Sequence, residues 1–477
     1  MKSVFFVYCL LFTVYCSSCS NSNSGSAEKK IKDDSLKVSA PAYDNSFEKG
    51  KVIVKIRCTQ DSSLSYGLYL PKSYSSDKKI PVIYCFDSHA SGPLPLEKYK
   101  GLAEKYGYIL AGSNNSKNGM SWEQNEPQIK IFMDDVKQRL NIDAKRIYAC
   151  GFSGGSRVAS SVAIFDGGIN CVIGMGAGFP SISDAIRNHF DYIGFAGNED
   201  FNMNEMIGLI ASMDKSPIRH ELILFNGKHE WAPAESVEDA FVWLEINAMK
   251  DGLISKNDSL IKNFVVKNEN ALKGFETRKD IYNEQFQCSK IVNYLDGLAD
   301  VSLYKKKVEE LNNSDEFKKI TAKKADQAKE ELSLQENYKK SFVLKDFAWW
   351  TGEIKKLQQT SKNKSDEGKA QMNKRVLSYL SLLAYMNAKS AFEAKQYELE
   401  ETFLTIYQMV DPENSEHQYM FADLYAIKKD NTKALSSLKN AVKLGFNDLA
   451  RMEADPALSP LKSSPEYNKL LQEVKSK

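Results

Sequence analysis

Between Val52 and Met249 short apolar runs take turns with stretches whose apolar residues recur every three or four positions, the periods of strands and amphipathic helices. Two early runs, 52–58 and 65–70, alternate apolar with polar residues and predict a half-exposed antiparallel pair at the start of a sheet. Later runs at 81–86, 108–111, 146–150, 171–175, 192–196 and 221–225 are apolar throughout, as strands covered on both faces are. Helical patterns over 96–106, 126–140, 156–165, 202–213 and 235–249 fall between them. Strand and helix in alternation predict an α/β domain over residues 46–250, a mostly parallel sheet flanked by helices.

Past Lys250 the period is helical almost without a break, so the sheet is expected to end there. Residues 251–374 form a helical region without a repeat, and 375–477 show a period of 34 residues. Lys395-Gln396-Tyr397 stands at a tight turn and Asp411-Pro412 closes the unit. Ala422, Tyr425, Ala434, Leu438 and Ala441 take the interlocking positions of the next unit, while Glu400 replaces a small residue in the first. This stretch resembles tetratricopeptide repeats, which implies an all-α region and a protein partner.

The first residues follow another logic. Lys2, a short apolar run over 4–15 and small residues up to Cys19 have the order of a signal peptide, and the run is too short to span a bilayer. Cys16-Ser17-Ser18-Cys19 resembles the cleavage site of bacterial lipoproteins, with Cys16 where Leu is usual. The resemblance implies residues 1–19 as a signal peptide, a lipid on Cys19, and a membrane-anchored protein of the cell envelope, periplasmic or on the outer-membrane surface. An ordinary cleaved signal is the alternative. Residues 20–45, rich in Ser, Asn and Lys, suit a flexible tether. Lys and Arg total 64 against 62 for Asp and Glu, so no overall field gathers nucleic acid. The Lys- and Glu-dense stretch 305–369 reads as a solvated helix face. Five cysteines remain beyond the leader, without a CxxC, and call for neither a disulfide framework nor a metal site.

The chemistry starts at Gly151-Phe152-Ser153-Gly154-Gly155, a G-x-S-x-G motif between a predicted strand and a predicted helix. Such a turn exposes the Ser153 hydroxyl and aims the Gly154 amide at an oxyanion. A hydroxyl needs a base, and around such an elbow the chain order is Ser, acid, His. His189 precedes any candidate acid loop, His220 opens a strand and His417 lies in a repeat helix. His229 alone follows a strand end, in Gly227-Lys228-His229-Glu230-Trp231. The acid belongs in Gly197-Asn198-Glu199-Asp200, where Asp200 and Glu199 compete and a helix-capping role for Asp200 is the structural alternative.

These residues resemble the α/β-hydrolase clan, in particular its polyhydroxybutyrate-depolymerase-like and feruloyl-esterase-like branch, over about 52–249. The elbow, the Gly197 loop and Gly227 to Pro233, similar to a G-G-x-H-x-W-P pattern, carry the resemblance. It favours Asp200, whose glycine turn stands three residues earlier, and puts Ser88 where a second oxyanion amide belongs. Relatives usually carry His-Gly there, whereas this chain has Asp87-Ser88-His89, so Asp87 and His89 either line the pocket or fix the loop. Asn114, Asn115, Trp122 and Trp231 are further candidates to line the site. The expected function is hydrolysis of a small-molecule or polysaccharide-linked ester without cofactor or metal. A peptidase of the same fold, or a surface interaction protein acting through its helices, are the alternatives. Since every expected catalytic group precedes Lys250, the helices after it are expected to be dispensable for the triad.

Overall fold

The computed structural model describes residues 43–179 and 182–476; the signal sequence, Cys19 and nearly all of the tether lie outside the described residues. Among the described residues, one sheet holds β1 (Val52–Arg57), β2 (Ser65–Tyr69), β3 (Ile80–Phe86), β4 (Ile109–Ser113), β5 (Ile142–Phe152), β6 (Cys171–Met175), β7 (Asp191–Gly197) and β8 (His220–Phe225). Their order is β1-β2-β4-β3-β5-β6-β7-β8, antiparallel through β2 and parallel from β4 onward. This is an α/β-hydrolase sheet. The winding reverses at β3, so the C-terminal end of β5 opens at the centre of the sheet, where such folds bind their ligands.

Neighbouring side chains on a strand point to opposite faces. Val82, Tyr84 and Phe86 accordingly enter one core, and Ile83 and Cys85 the other. The first core is closed by α2 (Trp122–Arg139), α3 (Gly154–Ser161) and α5 (Met203–Met213), the second by α1 (Pro93–Tyr106) and α6 (Ala234–Lys250). A short α4 (Ile182–Asn188), unmarked by any long periodic pattern, precedes β7. The antiparallel pair is only half as predicted. β1 is largely exposed, but β2 is buried throughout, and its Tyr66 and Tyr69 hydroxyls donate to Asp135 and Glu104. The two tyrosines stand in a buried strand, one in each core, because their hydroxyls reach carboxylate partners and not water.

The sheet ends where the period changes, but its core does not. The chain continues with α7 (Asp258–Arg278) and α8 (Ile281–Leu295), whose Ile261, Phe264, Ile291 and Tyr294 join the second core. Tyr294 packs on Trp243 of α6 with ring centres 4.8 Å apart and stacks on Phe264 at 4.5 Å. Asp239 of α6 takes Lys267 at 2.8 Å and Lys290 at 2.5 Å. Burial alone would raise its carboxyl, yet the two ammonium groups outweigh that and hold it below the usual range.

Beyond these lie α9 (Ser302–Asn313), α10 (Asp315–Leu344), α11 (Phe347–Thr360), α12 (Glu367–Glu393), α13 (Tyr397–Val410), α14 (Ser415–Ile427), α15 (Asn431–Lys443), α16 (Leu449–Ala454) and α17 (Pro465–Lys475). α9 stays with the second sheet core through Tyr304, whereas α10 to α17 pack around two cores of their own, one over α10 to α14 and one over α14 to α17. The turns α12–α13 and α14–α15 pass through Lys395 and Lys429, both left-handed (φ 56° and 62°) and 34 residues apart by number. No helix among the described residues is long and apolar enough to cross a membrane.

Candidate active site

Ser153 connects β5 to α3 at φ 54° and ψ −120°, a backbone state that L residues avoid and that costs about 1–3 kcal/mol. The surroundings impose it. The Ser153 amide donates to the Met175 carbonyl of β6 at 2.8 Å, and α3 begins at the next residue. Close approach then sets the residue types. A methyl group on Gly155 would lie 1.9 Å from the Phe86 carbonyl oxygen, so only glycine lets α3 press against the end of β3. That contact brings Asp87-Ser88-His89 beside the N-terminus of α3, where the Gly154 amide has no partner within its own helix.

Three side chains meet at this edge. Ser153 Oγ lies 2.9 Å from His229 Nε2, and His229 Nδ1 lies 2.9 Å from Asp200 Oδ1. A carboxylate only accepts, so Nδ1 carries the proton and Nε2 is left to accept from the hydroxyl. The same Asp200 oxygen accepts the Asn202 amide at 2.8 Å, and Asp200 is 1% exposed. β6 lies between the strands that lead to Ser153 and Asp200, and it is followed by Gly176 at φ 65°. A methyl group there would come within 3.1 Å of Asp200 Oδ2 and of His229 Cε1, so the glycine keeps the line open. Glu199 points elsewhere, to Lys374 of α12 at 2.7 Å.

The imidazole of His229 is held between two rings, Phe152 at 4.7 Å and Phe201 at 4.3 Å, centre to centre. These apolar faces limit its tilt and keep water from its sides. Nothing in the residue types of Phe152 and Phe201 marked them in the sequence beyond their places next to Ser153 and Asp200.

The expected lining residues fare differently. Trp231 is buried and forms a strut, its Nε1 donating to Asp87 Oδ2 at 3.1 Å while its ring meets Phe152 and Tyr99. The other Asp87 oxygen accepts the His89 amide at 2.8 Å and the Ser91 amide at 3.3 Å, so Asp87 fixes the loop. Ser88 is buried, its hydroxyl 3.2 Å from His89 Nδ1 and its carbonyl accepting the Asn118 amide at 2.9 Å. His89 itself extends outward with its side chain 84% exposed. Asn114 donates to the Val54 carbonyl at 3.1 Å and Asn115 accepts the Ser65 amide at 2.9 Å, so both pin their loop to β1 and β2. Trp122 opens α2 and packs on Phe165 at 5.3 Å, against the core instead of the triad edge. The exposed Asn118, not singled out from sequence, does reach the elbow. Its Oδ1 stands over Gly154, 1.7 Å from where a methyl group on that residue would be.

The remaining histidines are spent or remote. His220 lies 2.8 Å from the Ile218 carbonyl and 3.1 Å from Asp214, and His417 is wholly buried in α14, where loss of solvent lowers its pKa. The described residues hold no cluster of side chains fit for a metal ion.

No protein-family model matches the chain, and no curated protein matches it. Solved structures do show likeness. An S-formylglutathione hydrolase from Staphylococcus aureus is 13% identical, with 41% of this chain and 98% of that one covered at a TM-score of 0.36. A ferulic acid esterase is 16% identical, covering 40% and 94% at 0.33. Est1E from Butyrivibrio proteoclasticus is 12% identical, covering 39% and 94% at 0.32. The assignment of the α/β-hydrolase fold rests on this chain's own strand order and elbow.

Proposed function

We propose that the chain is a serine-dependent carboxylic ester hydrolase. The observation that carries this reading is the continuous line from Ser153 through His229 to Asp200, at 2.9 Å and 2.9 Å, on a strained elbow. His229 Nε2 takes the Ser153 proton as Oγ attacks the ester carbonyl, and the amides of Gly154 and Ser88 receive the oxyanion. Collapse passes that proton to the departing alcohol and leaves an acyl-serine. Water, deprotonated by the same nitrogen, then attacks the acyl carbon, and the proton returns to Ser153 as the acid leaves. Asp200 keeps the proton on Nδ1 and balances the imidazolium charge throughout. The substrate is a small or polysaccharide-linked ester.

The same proposal places the enzyme at the cell envelope, exported and held by a lipid on Cys19, with residues 375–477 as tetratricopeptide-like repeats that take a protein partner. The support for the repeats is the pair of left-handed turns at Lys395 and Lys429.

The test is covalent labelling of the full chain with a fluorophosphonate probe. Labelling that disappears in Ser153→Ala, with the fold unchanged by circular dichroism, is the expected result. Equal labelling of that variant, or none of the parent, overturns the assignment.

A further inference from the structure

The loop that carries Asp200 has two sides, and they are held by different parts of the chain. On one side the amides of Asn198 and Glu199 donate to the carbonyls of Phe225 and Gly227, both at 2.9 Å, which ties the loop to β8 and the His229 turn. On the other side its carbonyls face α10 and α12. Arg375 of α12 donates through Nη1 to the Asn198 carbonyl at 3.0 Å. Its remaining edge is locked to Glu331 of α10, with Nε 3.0 Å from both oxygens and Nη2 at 2.8 Å. One helical turn after Glu331, Gln335 Nε2 reaches the Phe201 carbonyl at 3.4 Å. Lys374 holds Glu199 between them, and Tyr379 faces Phe201 with ring centres 6.3 Å apart. The grip thus falls on both sides of Asp200, and through Phe201 it reaches the ring that flanks His229.

Beside this seam lies a half-open cavity of about 170 Å³, where Leu377 of α12 and Val410 of α13 stand next to Glu199, Lys228 and Lys374. Packing does not close that gap, and the directed polar contacts bridge it. Glu331 is 0% exposed and Arg375 7%. A buried ion pair is seldom retained for stability, because the cost of desolvating both charges offsets most of their attraction. What this pair does achieve is to hold a guanidinium rigidly enough to aim one N–H at a main-chain oxygen two residues from Asp200.

We propose that Arg375, locked by Glu331, is a positioning residue for the reaction: the helical region keeps Asp200 in line with His229. This rests on the hydrolase reading above. It also reverses the expectation that everything after Lys250 is dispensable for the triad.

The experiment uses the full chain and the double variant Glu331→Leu/Arg375→Met, which replaces both charges by apolar side chains so that neither is left buried alone. Rates of Ser153 phosphonylation by the fluorophosphonate, with loss of fluoride, are measured from pH 5 to 9, beside amide hydrogen exchange at Asn202 and Met203, which donate to Asp200 Oδ1 and to its carbonyl at 2.8 Å and 3.0 Å. The expected result is a folded protein whose rate of labelling falls on the order of ten- to a hundredfold. Its acid-limb midpoint moves to lower pH, because a loosened carboxylate supports the imidazolium less, and exchange at the two amides quickens. Arg375→Lys, which keeps the charge on Glu331 company but loses the second reach, falls between the two, and it decides on the same readouts if the double variant does not fold. A folded variant that labels within about twofold of the parent's rate at an unmoved midpoint overturns the proposal alone. A parent that does not label, or labels equally as Ser153→Ala, overturns the hydrolase reading and this role with it.

Discussion

Asp200→Asn is the most informative single substitution, because the structure says which way the new amide must face. Asp200 Oδ1 accepts from both the Asn202 amide and His229 Nδ1. An asparagine that keeps its oxygen there satisfies both donors, whereas one that presents its NH₂ there sets donor against donor twice. The oxygen therefore stays, Nδ1 keeps its proton, and the imidazole remains in the working tautomer. What is lost is charge. A carboxylate and an imidazolium with centres ~4 Å apart at an effective dielectric near 20 attract by ~4 kcal/mol. That corresponds to a loss of about a thousandfold in rate, short of the roughly ten-thousandfold that accompanies a tautomer flip in a serine protease. The assay is kcat/KM on a short activated aryl ester, with the Nδ1 proton of His229 followed by NMR. Glu199→Gln serves as the control and should cost no more than a few-fold, since Glu199 is directed at Lys374. A fall below tenfold in Asp200→Asn would falsify the charge argument. A ten-thousandfold fall with the Nδ1 proton gone would show that the Asn202 amide does not hold the oxygen.

Other perturbations have definite expectations. Burial pushes Glu400 of α13 up from 4.5 to about 7 against the pull of Lys428, so the folded chain binds more protons than the unfolded one in that window and loses stability as pH rises through it. The loss amounts to about 3 kcal/mol above pH 7; Glu400→Gln should remove that share, read as a urea midpoint that falls less between pH 4.5 and 8 than the parent's, the rest of the fall coming from other buried carboxyls such as Asp423 of α14. Gly155→Ala must push α3 off the Phe86 carbonyl, and it should lower the melting temperature and cut turnover further than that destabilisation accounts for, measured at a temperature where the variant is folded. Cys19→Ser should leave a chain that no longer partitions with membranes in detergent phase separation, and continued partitioning would refute the lipid anchor.

Much of the α/β part was legible because its strands are buried on both faces, which makes them continuous apolar runs; 171–175 coincides with β6 to the residue. β5 starts four residues before its apolar run, at Ile142, because its first turn pairs with Ile80 at a polar edge that hydropathy does not mark. Ser153, Asp200 and His229 were selected by motif and chain order, both local features, and the structure brings the three together. Trp231 is tied to Asp87, Asn114 to β1 and Trp122 to Phe165, and residue type and loop position do not reveal such partners. Arg375 and Glu331 left no trace in a sequence reading. Their partner at Asn198 is 177 residues away from Arg375, and a charge on a helix otherwise rich in charges looks like a solvated face.

The five cysteines of the described chain are free, and each is at most 3% exposed. Burial raises Cys58 and Cys288 to about 11; burial also lifts Cys171 well above the usual thiol range, and Cys150 is lifted by its hydrogen bond with Cys85 together with burial. At neutral pH these four are thiols with little nucleophilic character, and burial keeps alkylating reagents from all five cysteines while the chain is closed. Each is therefore a silent clock. Cys85, Cys150 and Cys171 keep time for the sheet and Cys288 for α8, and the order in which a mass-tagged maleimide captures them in the native protein gives the order in which those layers come apart.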